Sequence, residues 1–298
     1  MNAVSPASHA SPVINAITVD VEDWLQSAVD VSLPLTDCFQ ANTHEVLAAF
    51  DARRVRATFF VLGLAAERAP ELVREIHRCG HEVQSHGYGH RLIHELSPAQ
   101  FRADVERSKK FLEDLVGRPV CGYRAPAFTI TLRTLWALDI LVELGFNYDS
   151  SVFPVRMKRY GISQAPWYPH VLKTPRGRQI TELPVATYRV GGRRVPTGGG
   201  GYFRLFPYFV LRRGLRQLNR AGQPATVYMH PYEYAPREVG ALDYPIPWQR
   251  RLQQGLGRQG FPAKVDRLLS EFRFGSAGEM VASLGPLPLH EYRGSDRG

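Results

Sequence analysis

The strongest constraint on the fold is an alternation along the chain. Short apolar runs rich in β-branched and aromatic residues alternate with segments whose apolar residues recur at helical spacing, the pattern of an α/β fold. Strand-like runs fall at 14–19, 57–62, 82–85, 120–123, 146–148, 183–188, 225–229 and 272–274. Between them, a helix is expected from Asn42, with Glu45 completing a capping box, and another over 71–79, bracketed by Pro70 and Gly80. Ser97-Pro98-Ala99-Gln100 opens a third, and helices are also expected over 132–144, 211–220 and 263–271. About seven strand/helix units with no internal repeat and no Ser/Gly linker favour one barrel-like or doubly wound domain. The Pro- and Gly-rich stretch 151–202 reads as loops over one face, and Gly198 to Gly201 as a ligand-hugging loop.

Composition narrows the function classes. The 298 residues carry 37 Lys+Arg against 28 Asp+Glu, a net charge of +9. The positive residues are dispersed, and Arg212, Arg213, Arg216 and Arg220 read as the solvated face of an amphipathic helix. With no groove-reading motif, nucleic acid is not the expected partner. Cys38, Cys79 and Cys121 are too few and too widely spaced for a disulfide framework or a metal knuckle. The first residues lack the basic start and apolar run of a signal peptide, and no run of about 18 apolar residues reads as a membrane span. A reducing, cytoplasmic location is expected.

The reactive side chains fall at consistent places. Asp20, Glu22 and Asp23 follow the first strand, His86 and His90 the third, Arg124 the fourth, Asp149 the fifth, and His230 the run ending at Met229. In parallel α/β barrels, the carboxyl ends of the strands form the face on which active sites are built. Two histidines and a carboxylate suit a divalent ion with positions open to water and substrate. Arg124 beside Asp20 would keep that carboxylate ionised and pointed. His230 is placed to act as an acid near neutral pH, with a carboxylate supporting its imidazolium.

Taken in order, TVDVEDW, SHGYGH, GYRAP, YDSS and YMHP resemble the five motifs of the NodB-homology polysaccharide deacetylases, carbohydrate esterase family 4, over residues 15–274. The first block departs from the commonest TFDDG form and looks like the branch that includes peptidoglycan deacetylase-like proteins. The longer context resembles deacetylases found with exosortase and exopolysaccharide gene clusters. The resemblance implies a distorted (β/α)7 barrel over 15–275, with 151–202 a loop-rich insertion and 1–14 and 276–298 terminal extensions. It also implies one divalent metal, Zn²⁺, and hydrolysis of the acetamides of an N-acetylated oligo- or polysaccharide, with a lipid-linked glycan precursor as a possible contact.

By motif position, Asp20 would be the general base, His86 and His90 metal ligands, Arg124 the residue orienting Asp20, and His230 the general acid tuned by Asp149. The third ligand is Asp23 by the family's preference for a short side chain, or Glu22 by ungapped alignment to the variant branch. The Ala127 N–H beside Pro126 would help hold an oxyanion. Trp24, Tyr88, Phe128 and Tyr202 could offer sugar-stacking surfaces. Two other functions compete: a metal-independent C–N hydrolase of the allantoinase-like kind, and a catalytically silent carbohydrate binder.

Overall fold

The computed structural model describes residues 13–157, 159–241 and 244–292. Its strands, in chain order, are β1 (Asn15–Val21), β2 (Thr58–Val61), β3 (Glu82–Ser85), β4 (Gly122–Tyr123), β5 (Tyr148–Asp149), β6 (His170–Lys173), β7 (Gln179–Glu182), β8 (Thr187–Val190), β9 (Arg193–Pro196), β10 (Thr226–Met229), β11 (Phe274–Gly275) and β12 (Leu289–Glu291). Strands β10, β1, β2, β3, β4, β5 and β7 run parallel in that order. Beyond β7 the chain turns back toward β10: Val185 bridges Thr226, and the Ala186 N–H donates to the Thr226 carbonyl at 2.9 Å. That contact closes a seven-membered ring, the distorted (β/α)7 barrel expected. At the other end of β7, antiparallel β6 and then β12 extend the sheet outward.

Strands β1, β2 and β10 are buried on both faces, with Ile17, Val19, Phe59, Val61, Val227 and Met229 fully enclosed, as expected when helices cover the outside of a parallel sheet. The helix Pro98–Val116 begins with the expected capping box: Ser97 and Gln100 each accept from the other's backbone N–H. Proline opens the helix Pro70–Arg78.

Three expectations fail locally. The helix expected from Asn42 runs over Cys38–Ala52. Asn42 lies inside it, and its side chain donates to Glu238 rather than capping. The run 183–188 is not one strand: its first part closes the barrel, while Thr187–Val190 turns outward to pair with β9. The stretch 151–202 is more ordered than its proline and glycine content suggests, since it holds β6 to β9. Gly198 to Gly201 is a packing device within it. The Gly198 carbonyl accepts the Tyr228 N–H at 2.7 Å, and a Cβ at Gly199 would lie 2.1 Å from the Tyr228 carbonyl oxygen. Only glycine allows so close a backbone approach beside β10.

Candidate active site

The ring brings the carboxyl ends of β1, β3, β4 and β10 to one rim. Past the end of β1, Glu22 is buried and its Oε2 lies 2.7 Å from His90 Nε2 and 3.6 Å from His86 Nε2. Its Oε1 is 3.1 Å from His230 Nε2. Burial opposes ionisation of Glu22, but His90, His230 and His86 more than offset it and hold its carboxyl well below the usual range. The His86 Nδ1–H donates to the Arg124 carbonyl at 2.9 Å. A carbonyl can only accept, so Nδ1 carries a proton and Nε2 is the nitrogen that His86 turns toward Glu22. His90 takes a left-handed backbone, φ 57°, which turns its ring back over His86 at 5.7 Å between centroids.

Glu22, His86 and His90 can each offer one ligand atom, all within 4.8 Å of one another. Despite its short contacts, Glu22 Oε2 makes no well-aligned hydrogen bond, and neither does the buried Nδ1 of His90. A buried carboxylate oxygen crowded by imidazole nitrogens but unsatisfied by them fits a cation lying between the three groups.

The structure separates the two acidic candidates for the third ligand. Asp23 points away from the cluster and caps the helix Trp24–Ala28, accepting from the Leu25 and Gln26 N–H groups at 2.8 and 3.3 Å. Its second oxygen accepts from the Thr36 N–H at 3.0 Å and from the Thr36 hydroxyl. The preference for the shorter side chain therefore gives way to Glu22, because the shorter residue is where the chain needs a cap.

Arg124 is fully buried and tied on every side. It donates to Asp20 Oδ1 at 2.8 Å, Thr18 Oγ1 at 2.6 Å, the Ser150 carbonyl at 3.0 Å and Ser150 Oγ at 2.7 Å, and lies 4.3 Å from the centre of the Phe60 ring. A planar fork with five donors suits this multiple engagement where lysine would not.

His230 stacks on Tyr232 at 4.7 Å and 8°. The carboxylate beside its Nδ1 is Glu233, at 3.5 Å, and Glu233 also accepts the His230 backbone N–H at 3.1 Å. Burial disfavours the imidazolium, but Glu22, Glu233 and Asp20 outweigh burial and raise the histidine to about 9. Sequence reasoning named Asp149 for this partnership and missed Glu233. A proline followed by a glutamate three residues after the histidine, the spacing of a helical turn, was the available signal.

Asp149 serves a different group. It accepts from the Ser151 hydroxyl at 2.5 Å and the Ser151 N–H at 3.2 Å, and Ser151 Oγ in turn accepts from the Ala125 N–H at 2.8 Å. Its neighbour Glu182 accepts from the Val152 N–H at 3.0 Å. Burial raises Asp149 to about 6 and pushes Glu182 well above the usual range, with Asp149 adding to the rise at Glu182. Burial thus favours the protonated form of both carboxyls beneath the turn that carries Arg124.

The expected sugar-stacking residues divide. Trp24 is fully buried, with the Arg258 guanidinium 5.4 Å from its ring, and cannot face a substrate. Tyr88 is covered on one side by Arg107 at 3.8 Å and donates its hydroxyl to Glu67 at 2.7 Å. Pro126 is buried, while Ala127 is exposed at φ 50° and Phe128 follows at φ 56°, a tight turn that lifts the Ala127 backbone. Tyr202 is partly exposed, its hydroxyl 2.9 Å from that of Tyr160.

Comparison with known proteins agrees with the fold. Residues 27–148 match the polysaccharide deacetylase family, and residues 150–282 match a domain of unknown function, DUF3473. A peptidoglycan deacetylase of Helicobacter pylori is 31% identical over 107 residues, 36% of each chain. A chitooligosaccharide deacetylase of a Bradyrhizobium species is 30% identical over 99 residues, 33% of this chain and 43% of the relative. The chain thus spans less than half the length of these curated relatives.

A polysaccharide deacetylase candidate from Mycobacterium smegmatis has a solved structure with TM-score 0.63 at 21% identity, covering 98% of this chain and 99% of that one. Puue allantoinase follows at TM-score 0.59 and 16% identity, covering 91% and 89%. These two likenesses show the fold. Residues 27–148 thus match the polysaccharide deacetylase family, and the strand-end motifs on either side resemble those of carbohydrate esterase family 4.

Proposed function

We propose that the protein is a metal-dependent N-deacetylase acting on N-acetylated amino sugars of a bacterial polysaccharide. The observation that carries this reading is the convergence of Glu22, His86 and His90 on one rim with Arg124-held Asp20 and His230. Glu22, His86 and His90 would hold the ion, and their donor set of two imidazoles and one carboxylate suits Zn²⁺. Such an ion polarises an amide carbonyl and makes nearby water more acidic.

The chain's own groups supply the rest. Asp20, pointed by Arg124, takes the proton of the attacking water as the water oxygen bonds to the acetamide carbon. The Ala127 N–H lies on the turn beside the site, where it can bind the carbonyl oxygen as that oxygen gains charge. His230 gives a proton to the departing nitrogen as the C–N bond breaks, leaving acetate and a free amino sugar. The complete Glu22–His86–His90 set is the reason to place this reading above a metal-independent C–N hydrolase.

A cytoplasmic enzyme of exopolysaccharide synthesis that meets its glycan on a lipid-linked precursor is the setting we favour, supported by the three free cysteines and by the resemblance to exopolysaccharide-associated deacetylases. The test is acetate release from N-acetylglucosamine and N-acetylgalactosamine oligomers by the wild type and Asp20→Asn. Release by the wild type that falls at least about 100-fold in the variant supports the assignment. Equal release by both would remove Asp20 as the base.

A further inference from the structure

The β8–β9 hairpin stands out from the barrel with an unusual charge pattern. Arg189 and Arg194 are directly opposite across the two strands, and Arg193 follows at the next pair. Like charges in such cross-strand positions destabilise a ribbon unless something neutralises them. Between this hairpin and the loop after β5 lies an open groove of about 470 Å³ lined by Arg156, Arg189, Arg193 and Arg194, and its lining includes no acidic residue.

No carboxylate among the described residues pairs with any of these four arginines. Among the described residues, Arg194 donates to main-chain carbonyls, of Ala165 at 2.5 Å and of Pro154 and Ser163 at 3.4 Å, which fixes the loop without a carboxylate to balance its charge. Burial and then the neighbouring Arg189 lower the Arg194 pKa, consistent with crowded positive charge. On the other side of the hairpin, Gln217 ties the helix Tyr208–Arg220 to the Arg189 main chain at 2.9 and 3.0 Å, so the framework is braced.

The groove also adjoins the catalytic rim. Val155 in its wall packs with Phe128, Phe153 and Tyr228. The Phe128 ring is 5.6 Å from the Arg124 guanidinium and the Tyr228 ring 5.5 Å from that of His230. One aromatic layer thus separates four guanidinium groups from the proposed acetamide site.

We propose that this groove is a subsite for an oxyanion, phosphate or carboxylate, carried by the glycan at a distance from the reacting acetamide. Guanidinium forks match both groups with paired, charge-assisted hydrogen bonds. The proposal rests on the deacetylase reading for the position of the anion along the substrate, but anion binding itself does not.

The test measures binding of three fluorescent N-acetylglucosamine oligomers, one neutral, one ending in a diphosphate and one containing glucuronate, to the wild type and to a triple variant, Arg156→Ala, Arg189→Ala and Arg193→Ala. These three side chains are exposed, so the fold should survive, and a triple Arg→Lys variant controls for charge alone. The wild type should bind one or both anionic probes at least about tenfold more tightly than the neutral one. That preference should vanish in the alanine variant and persist in reduced form with lysine. The neutral probe's affinity and acetate release from it should stay unchanged. Tighter binding of the diphosphate points to a carrier phosphate, and of the glucuronate to an acidic repeating unit. Equal wild-type affinity for all three probes, or an anion preference that survives the alanine changes, would overturn the subsite. Stronger binding of a DNA oligonucleotide of equal charge, lost in the same variant, would overturn its assignment to a glycan. Because the readout is binding, a protein that bound these anions without releasing acetate would refute the deacetylase reading and leave the groove standing.

Discussion

Glu22 and Asp23 are adjacent, acidic and buried, yet the structure gives them opposite work, and paired substitutions should separate the two roles. Glu22→Gln keeps the size of the side chain but removes the negative charge crowded by His86, His90 and His230 at 3.6, 2.7 and 3.1 Å. Loss of an outer partner of a metal ligand typically weakens metal affinity about 10–100-fold, so loss of a ligand's charge should cost at least about 100-fold.

Asp23→Ala removes the acceptor for the Leu25, Gln26 and Thr36 N–H groups. A lost N-cap costs about 1 kcal/mol, and a buried donor left unsatisfied costs about 1–3 kcal/mol, giving about 2–4 kcal/mol in all. Metal content after dialysis against limiting zinc, with urea unfolding of the same samples, reads both effects. Glu22→Gln should fall well below one metal per chain while Asp23→Ala stays near one, and Asp23→Ala should show the larger loss of stability in the metal-free state. Metal loss in Asp23→Ala together with full binding in Glu22→Gln would refute the assignment.

The Asp149–Glu182 pair gives a pH prediction. Burial raises both groups, Asp149 from 3.8 to about 6, so the folded state keeps a proton that the unfolded chain releases and stability falls as pH rises through that window. Glu182→Gln should therefore raise the midpoint of urea unfolding at pH 8 and leave it unchanged at pH 4, whereas parallel pH profiles would show that burial does not raise this pair. Arg124→Lys cannot reproduce four hydrogen bonds to Asp20, Thr18 and Ser150 from one ammonium, so it should cost about 3–5 kcal/mol in thermal unfolding. An unchanged Tm would mean that the network does not hold the rim. Glu233→Gln should lower kcat for acetate release about tenfold or more with KM nearly unchanged, because it alters the partner of His230 but no surface that binds sugar. A change confined to KM would remove Glu233 from the proton path.

The sequence revealed the barrel better than its closure. Six of the seven barrel strands were legible, most clearly β1, β2 and β10, which are apolar runs buried on both faces, whereas β7 lies just before the run expected at 183–188; every strand-end residue proposed for chemistry does lie at the carboxyl end of its strand. The closing contact, Val185 with Thr226, was not legible, because one backbone bridge leaves no side-chain pattern. Nor were β6 and β12, which lie at the sheet's outer end, where residues such as Lys173 and Leu289 are exposed and apolar periodicity is weak. Within the site, residue types at strand ends pointed to Asp20, His86, His90, Arg124 and His230, which the structure brings to one rim. The choice between Glu22 and Asp23 depended on which carboxylate a neighbouring helix and Thr36 would claim, a competition set by folding rather than by spacing. Asp149 was misassigned for a similar reason: its reach is taken up by Ser151 and Glu182, which become neighbours only when β5 and β7 pair.

The most direct test of the central claim is acetate release from N-acetylglucosamine oligomers by one preparation measured as purified, after chelation to less than about a tenth of a metal per chain, and after return of one equivalent of zinc. The account predicts that activity falls in proportion to the metal removed and returns with it in the wild type, but not in Glu22→Gln. Full activity in the chelated protein would contradict a metal-dependent deacetylase built on Glu22, His86 and His90.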